Sequence, residues 1–563
     1  MAKFQIKINS ILGGISANAY QGRADQFHAS IGIDPDRPIQ TSGVTKTAGV
    51  LTPSSASDVS GAVLSGYPVW ITTNPKGTSS EGIYVYASDG EFISYVNAAG
   101  TGTLEGTPTS GVGNGMAYYN NYIYLATPTD ISHYGPLTET PVLTNTRWTG
   151  STGAGPTFNL TALGNATYPT QRGVTIPNHP MHVHSDNKLY VGDFDTIAAE
   201  ANRGRGLIHW IRTTRTTDEG DTNDGTTRSA FLLTWGYAPT DIESWGTDLV
   251  VAAIYVGGAN TAGTLIDLGV AMRQPSAKLF FWDAINAPSL PYKVVDLPDP
   301  LVTALLNHNG NLYIWTGSYG SGIASDSVGG TRLSVFAGGY SIKQLAFLEE
   351  GLPPIAGGVA ASGGRIVWGG YTSYPEDAIC MWGYGYKDDN LPKALHNIAV
   401  GSPTIGASLT TWTATAVAAV EQPSFGADPR WWMGWKDGAA TQDFGIDRIN
   451  AVSNTSRLSV WRSFIYPIGQ PFKINKISLP LGSAVAADMT LIPIILTDDL
   501  STSTAQTTIN STNYAASQRR IVLYPTIQGL NNFCLQLRWS GIAILPVNLP
   551  IIIEGETLND ATG

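Results

Sequence analysis

A two-strand unit recurs along most of this chain, and it limits the fold more than any single residue does. Ser244-Trp245-Gly246-Thr247-Asp248-Leu249-Val250-Val251 reads as a tight turn entering a buried strand. Leu279-Phe280-Phe281-Trp282 then reads as a second strand of the form apolar-x-x-aromatic. First strands of this kind centre on Val69, Ile123, Leu189, Leu249, Leu312, Ile366 and Trp432. Second strands end at Tyr86, Tyr134, Trp210, Trp282, Phe336, Trp382 and Trp461. Turns of residues that tolerate positive φ lead into the first strands, such as Asn120-Asn121 and Asn309-Gly310, and Ser88-Asp89-Gly90 joins Ile83–Ala87 to Glu91–Val96 in the same way, as short hairpin turns require. Near-continuous apolar runs such as Leu249–Val256 suit strands covered on both faces.

An interval of about 60 residues with about four strands per unit fits a propeller blade with inserted loops. One such sheet cannot bury both faces, whereas seven in a ring can, with the aromatics filling the wedges. The expected fold is therefore all-β: a seven-bladed β-propeller over 56–464, preceded by an extended N-terminal docking arm, 1–55, and followed by a C-terminal antiparallel β-sandwich, 465–563. The arm is poor in apolar residues and broken by Gly13-Gly14, Gly22, Pro35 and Pro38. The last part reads as strands at Phe472–Leu481, Met489–Thr497, Arg519–Tyr524, Asn532–Trp539 and Val547–Glu554. Within it, Leu535, Leu537 and Trp539 alternate with Gln536 and Arg538, as on a strand with one wet face. Two inserts, 213–228 and 257–275, are expected as rim loops.

Composition agrees. Charged residues make up 13% of the 563, about half the usual ~25%, while Gly (63) and Pro (33) are abundant. Few charges suit a surface partly covered by neighbouring subunits, and equally a low-charge secreted protein. The net charge of −11 and the lack of a basic block argue against a protein that reads nucleic-acid sequence. Cys380 and Cys534 are expected as reduced buried thiols. No signal peptide is visible at the start, and the run from Ile542 to Ile553, broken by Pro546 and Pro550, is too short to span a bilayer.

Few motifs carry chemistry. In His179-Pro-Met-His182-Val-His184-Ser-Asp186, His182 and His184 share one face of a strand within reach of one metal ion, and Asp186 could be a third ligand. Asp186-Asn187 also falls where other repeats have their turn, so an ordinary strand is the better reading and no metal is expected. Asp218, Asp221 and Asp224 fail the EF-hand template and read as a solvated loop tip. Thr222-Asn-Asp224-Gly225-Thr226 faintly resembles a sialidase Asp-box without its Trp. Trp431, Trp432 and Trp435 could form a sugar platform, but they lie on a repeat strand and read as core. Asn159 and Asn165 match glycosylation acceptors. No catalytic residues and no cofactor are expected.

The N-terminal segment reads Ile8-Asn-Ser-Ile11-Leu12-Gly13-Gly14-Ile15-Ser16, then Tyr20, Gln21 and Gly22-Arg23, then Gln26-Phe27 and Ile33-Asp34-Pro35-Asp36-Arg37-Pro38. It resembles the opening of the tail nozzle (tail tubular) proteins of short-tailed bacteriophages. The resemblance implies a structural virion protein made in the host cytoplasm. It implies a homo-oligomeric ring joined to neighbouring tail or adaptor proteins, with DNA passing through without specific binding and no membrane contact. The docking residues would be Ile11, Leu12, Gly13, Gly14, Ile15, Tyr20, Arg23 and Phe27. The alternatives are a glycan-binding surface propeller and a propeller glycoside hydrolase.

Overall fold

A computed structural model describes all residues except 1, 37–38, 42–43, 47–55, 59–63, 74–82, 96–101, 109–113, 129–130, 139, 145–169, 172–173, 176–178, 197–203, 212–225, 257–275, 286–289, 318–329, 349–352, 402–412, 421–429, 437–443, 450–455, 486, 542–544 and 559–563. The described residues are almost entirely strand and turn, with one short 3-10 turn at Ala356–Gly358. No helix among them is long and apolar enough to cross a membrane.

Seven four-stranded antiparallel sheets follow one another along the chain. Their first strands are Pro68–Thr73, Gly115–Tyr119, Met181–Val183, Tyr237–Trp245, Leu301–His308, Val359–Ser362 and Thr413–Val420. Each first strand lies against the first strand of the next sheet, and the seventh lies against the first, so the sheets close a cycle. Six sheets take their four strands in sequence order. The seventh takes Thr413–Val420, Arg430–Lys436 and Phe444–Ile449, then borrows Ala56–Asp58 from the N-terminal part as its outer strand.

The hairpin turns form where their residues dictate. Asn120 and Asn121 adopt φ of 46° and 70°, and Asn309 and Gly310 adopt 51° and 75°, the paired left-handed conformations of a two-residue hairpin. In four sheets the first strand carries a bulge: between Pro68 and Trp70, Pro239 and Asp241, Val302 and Ala304, and Ala414 and Ala416. A bulge adds local twist and here sets Val69, Thr240, Thr303 and Thr415 out of the ladder. The Thr240 hydroxyl donates to the Val302 carbonyl at 2.8 Å, tying the fourth sheet to the fifth.

Apolar side chains fill the space between sheets. Trp282, from the third strand of the fourth sheet, stacks on Phe231 of the third at 5.2 Å and meets Tyr190 edge-on at 6.0 Å. Val69, Phe194, Ala238, Val302 and Ile355 belong to one buried cluster spanning the inner strands. The turn Ala356–Gly358 rests on the first strands of the fifth, seventh and first sheets. A Cβ on Gly357 would stand 2.2 Å from the Val69 carbonyl oxygen, so only glycine fits there.

The recurring pairs keep their order but not their strand number. From the second to the sixth sheet, Ile123, Leu189, Leu249, Leu312 and Ile366 lie on second strands, and Tyr134, Trp210, Trp282, Phe336 and Trp382 on third strands. In the first sheet the reading slips by one strand, because Val69 and Tyr86 lie on its first and second strands. Trp461 lies outside the seven sheets. Its strand, Ser456–Arg462, pairs with Asn532–Gly541 and Ala29–Ile31, so the C-terminal part begins before residue 465.

That part consists of two sheets around one core. One joins Lys3–Ile8, Ile551–Thr557, Phe472–Pro480, Arg520–Leu523 and Ile527–Gly529. The other joins Ala29–Ile31, Ser456–Arg462, Asn532–Gly541, Met489–Thr497 and Thr502–Ala505, with Tyr466–Pro467 beside it. Ile474, Ile477 and Ile553 meet Trp461, Leu491, Leu535, Leu537 and Trp539 in that core. The face of Asn532–Gly541 expected to be wet is covered only in part: Gln536 is buried, while Arg538 stays partly exposed and reaches Glu376 of the sixth sheet's hairpin at 3.5 Å.

The N-terminal segment is not a separate extended arm. Lys3–Ile8 pairs with Ile551–Thr557, and Ala29–Ile31 pairs with Val460–Arg462. Arg365, almost fully buried, binds Asp34 at 2.9 Å and Asp36 at 3.4 Å. Apolar residues in a segment too short for its own core are thereby covered by the far end of the same chain.

Two substitutions test this packing. Trp282→Ala is expected to cost ~3–5 kcal/mol of unfolding free energy in urea, as for other large-to-small core changes. Arg365→Met leaves Asp34 and Asp36 buried without their cation, and removal of one partner of a buried pair costs about 3–5 kcal/mol. Early proteolysis within residues 1–36 of the Arg365→Met protein is the expected readout; protection equal to wild type counts against Arg365 holding the segment in place.

Candidate functional site

The histidine cluster lies where the third and fourth sheets meet. His182 Nε2 and His184 Nδ1 each stand 2.7 Å from Ser244 Oγ, at the end of the fourth sheet's first strand. His184 Nε2 faces the Thr247 carbonyl oxygen at 3.2 Å. A carbonyl only accepts, which assigns the proton to Nε2 and leaves Nδ1 to accept from the Ser244 hydroxyl. Glu243 Oε1 lies 3.4 Å from His182 Nε2 and accepts from the Ser244 backbone N–H at 2.8 Å.

Asp186 does not join them. It accepts from the Tyr190 hydroxyl at 2.8 Å and pairs with Lys188 at 2.9 Å, drawn back along its own hairpin. Among the described residues no three or more His, Cys, Asp or Glu side chains are arranged to hold a metal ion. Ser244 and Glu243 complete the cluster from about one repeat away, and no local spacing in the sequence pointed to them. Close by, His179, Asp193 and His209 form a fully buried polar group, with His209 Nε2 3.2 Å from Asp193 and His179 Nδ1 3.7 Å from it.

The eight N-terminal residues read as docking contacts have mostly internal partners. Ile11 and Phe27 are fully buried, and Phe27 packs on Trp461 and His396. The Leu12 carbonyl accepts from the Tyr386 hydroxyl at 2.8 Å. Gly13 N–H donates to the Asp25 carbonyl at 2.7 Å. Gly14, at φ +71°, passes so close to Leu395 that a Cβ would stand 2.5 Å from its carbonyl oxygen. Ile15 packs against the core shared by the fifth and sixth sheets. Tyr20 is 43% exposed with its hydroxyl on Asp499, and Arg23 is exposed and pairs with Asp25 at 3.2 Å.

Gly13, Ile15 and Arg23 line a cleft of about 780 Å³. Its other walls are the outer strand of the fifth sheet, Ile342–Leu348, and Trp382, Tyr384 and Leu395 of the sixth. The other features read from the sequence fall into two groups. Trp431, Trp432 and Trp435 are buried core, and Cys380 and Cys534 are free and buried, with burial pushing the thiols up to about 12 and about 11. The acidic cluster Asp218, Asp221 and Asp224, the acceptors Asn159 and Asn165, and the insert 257–275 lie outside the described residues, as does most of the insert 213–228.

No protein-family model and no curated protein matches this chain. Among solved structures, the Pan2 WD40 domain of Neurospora crassa is similar at a TM-score of 0.36 and 6% identity, over 74% of this chain and 97% of that one. The Cps50 (Swd1) β-propeller domain of Myceliophteria thermophila is similar at 0.37 and 8%, over 70% and 99%. An ancestral GH74 enzyme is similar at 0.38 and 10%, over 76% of this chain and 51% of that one. Likeness of this size carries no argument. It is the chain's own strand pairing, four-stranded antiparallel sheets in a closed cycle, that defines the class as β-propeller.

The histidine cluster predicts a pH response with two opposing limbs. Burial pushes His182 down from 6.5 to about 4, so the fold favours its neutral form. That contribution is complete above pH 6.5 and is lost as pH falls toward 4. Burial pushes Glu243 up from 4.5 to about 7, against the N–H groups of Ser244 and Asn307, so the fold favours its protonated form. That contribution is complete below pH 4.5 and is lost as pH rises through 7. Glu243→Gln keeps the acceptor and removes the titration. Its melting temperature should exceed wild type by a margin that widens from about pH 5 to about pH 8; a constant margin in thermal scans would count against this assignment.

Proposed function

We propose that the chain is a seven-bladed β-propeller with an appended C-terminal antiparallel β-sandwich, and that it is a structural subunit of a bacteriophage tail, of the nozzle or adaptor class. In this reading copies assemble into a ring that forms part of the DNA-ejection conduit, in the virion and without enzymatic activity. The resemblance at residues 8–38 supplies the class. The structural observation that supports assembly is a set of exposed apolar side chains on two neighbouring connections. Ile285, Leu290 and Tyr292, in the connection leaving the third strand of the fourth sheet, are 78%, 64% and 59% exposed. Tyr340, in the matching turn of the fifth sheet, is 73% exposed. Lys293 links the two connections, with its ammonium near the rings of Phe281, Phe336 and Tyr340. Large apolar groups gathered on adjoining loops mark a surface made for another protein. The acidic surplus, repeated around a ring, favours passage of a polyphosphate without capture.

The hydrolase alternative has less support. A glycosidase needs two carboxyl groups facing an open site. Asp241 and Glu243 on the fourth sheet's inner strand instead accept backbone N–H groups, Asp241 from Leu305 at 2.6 Å.

Electron microscopy of the purified protein tests the proposal. Rings are the expected result, and Ile285→Glu with Tyr340→Glu should abolish them while leaving urea unfolding unchanged. A monomer at all concentrations, or tight binding of duplex DNA at physiological salt, would count against it.

A further inference from the structure

The strand Lys3–Ile8 lies at the edge of its sheet. It pairs with Ile551–Thr557 on one side, and among the described residues no strand pairs with its other side. The Thr557 N–H donates to the Ala2 carbonyl at 2.8 Å. By the alternation of an antiparallel ladder, Phe4, Ile6 and Ile8 then turn their backbone groups toward Ile551–Thr557. Lys3, Gln5 and Lys7 turn theirs outward, so their N–H and C=O groups form one open row.

Such a row is a template for another strand, and folded chains blunt it with a bulge, a proline, a charge or a short length. Lys3–Ile8 runs six residues in unbroken register and contains no proline. Every other edge strand as long as this one among the described residues carries a register shift in its ladder. Charge is the guard that remains. Lys3 and Lys7 are exposed and, among the described residues, form no ion pair, whereas Glu554 is held by Lys476 at 3.0 Å. A second copy pairing antiparallel through this edge about Gln5 would bring Lys3 opposite Lys7, and like charges directly opposite are destabilising. A strand with carboxylates at those positions is attracted instead.

The two faces of the strand narrow the occupant further. Phe4 and Ile6 are half-buried at the rim of the core, with the Phe4 ring 6.3 Å from Phe472 and 6.2 Å from Phe533. Lys3, Gln5 and Lys7 share the outer face. The strand already paired with this one shows the complementary pattern: Ile551 and Ile553 lie inside, Glu556 stands opposite Lys3, and Glu554 stands opposite Gln5.

We infer that this edge takes up an extended segment of an acidic partner protein as a further antiparallel strand. The segment runs acidic, apolar, polar, apolar, acidic. Its acidic residues lie opposite Lys7 and Lys3, its apolar residues cover Ile6 and Phe4, and its polar residue faces Gln5. Hydrogen bonds to the open row supply affinity, and the side chains supply specificity. This contact stands apart from the tail reading: it needs one copy of the chain and no ring.

Fluorescence anisotropy of a labelled peptide with the full-length protein tests it. The probe is Thr-Glu-Val-Thr-Val-Glu-Thr. One control carries Lys in place of both Glu, and another is N-methylated on the backbone at both Glu and the central Thr. Saturable binding of the probe is expected, weaker by about tenfold or more in each control. Gln5→Pro removes an outward N–H at a place where an edge strand tolerates proline. It should weaken the probe by about tenfold or more at an unchanged circular dichroism spectrum, and so should Lys3→Glu combined with Lys7→Glu. Absence of probe binding overturns the inference, as does binding that survives N-methylation, Gln5→Pro or the charge reversal. Wild-type dimers or rings that Gln5→Pro disperses assign the edge to a second copy and overturn it as well.

Discussion

Three backbone pairings close the ring: Asp58 with Asp447, Ser57 with Arg448 and Ala56 with Ile449. A four-stranded sheet with apolar residues on both faces is stable only when both faces are covered. Around a cycle that requires the last sheet to meet the first. Joining the two ends of the ring within one sheet meets the requirement with hydrogen bonds as well as side-chain packing. The inner strands then lie against one another, and the turn at Ala356–Gly358 fits across their ends because Gly357 has no side chain.

The same return of the N-terminal part ties the ring to the C-terminal sheets. Residues 3–36 supply an edge strand to each of the two C-terminal sheets and then pass the sixth sheet of the ring. There Arg365 holds Asp34 and Asp36. Charges buried this far from water persist because each has its partner, and their value lies in fixing one path for the segment. Ile11 and Phe27 fill the core of the C-terminal sheets rather than waiting for another molecule. Ile285, Leu290, Tyr292 and Tyr340 lie outside this tie and are exposed.

Two polar features remain, with different character. At the junction of the third and fourth sheets, Ser244 satisfies both histidines, and Glu243 is held by backbone N–H groups. The cluster is closed upon itself. The cleft is open, and its cations Arg23 and Lys393 are paired with Asp25 and Asp389. Its walls come from three stretches far apart in sequence, brought together because the N-terminal segment crosses the seam between the fifth and sixth sheets.

Local structure followed from preferences that can be read along the chain. Asn-Asn and Asn-Gly pairs select left-handed turns, and period-two or continuous apolar runs select strands, because these preferences act between neighbouring residues. The all-β class, the hairpins and the burial of Trp282 and Trp432 were legible on that basis. Tertiary structure decided which strand of a sheet each repeat occupies and where the ring ends. Trp461 has the same local pattern as Trp382, yet it packs on Phe27 because its strand finds edges supplied by residues 29–31 and 532–541. Tertiary structure also turned an apparent arm into two edge strands and a buried ion pair, and drew Asp186 away from His182 while bringing in Ser244. Those outcomes depend on pairings between residues far apart in the chain, and closure of the ring, rather than any local preference, selects among them.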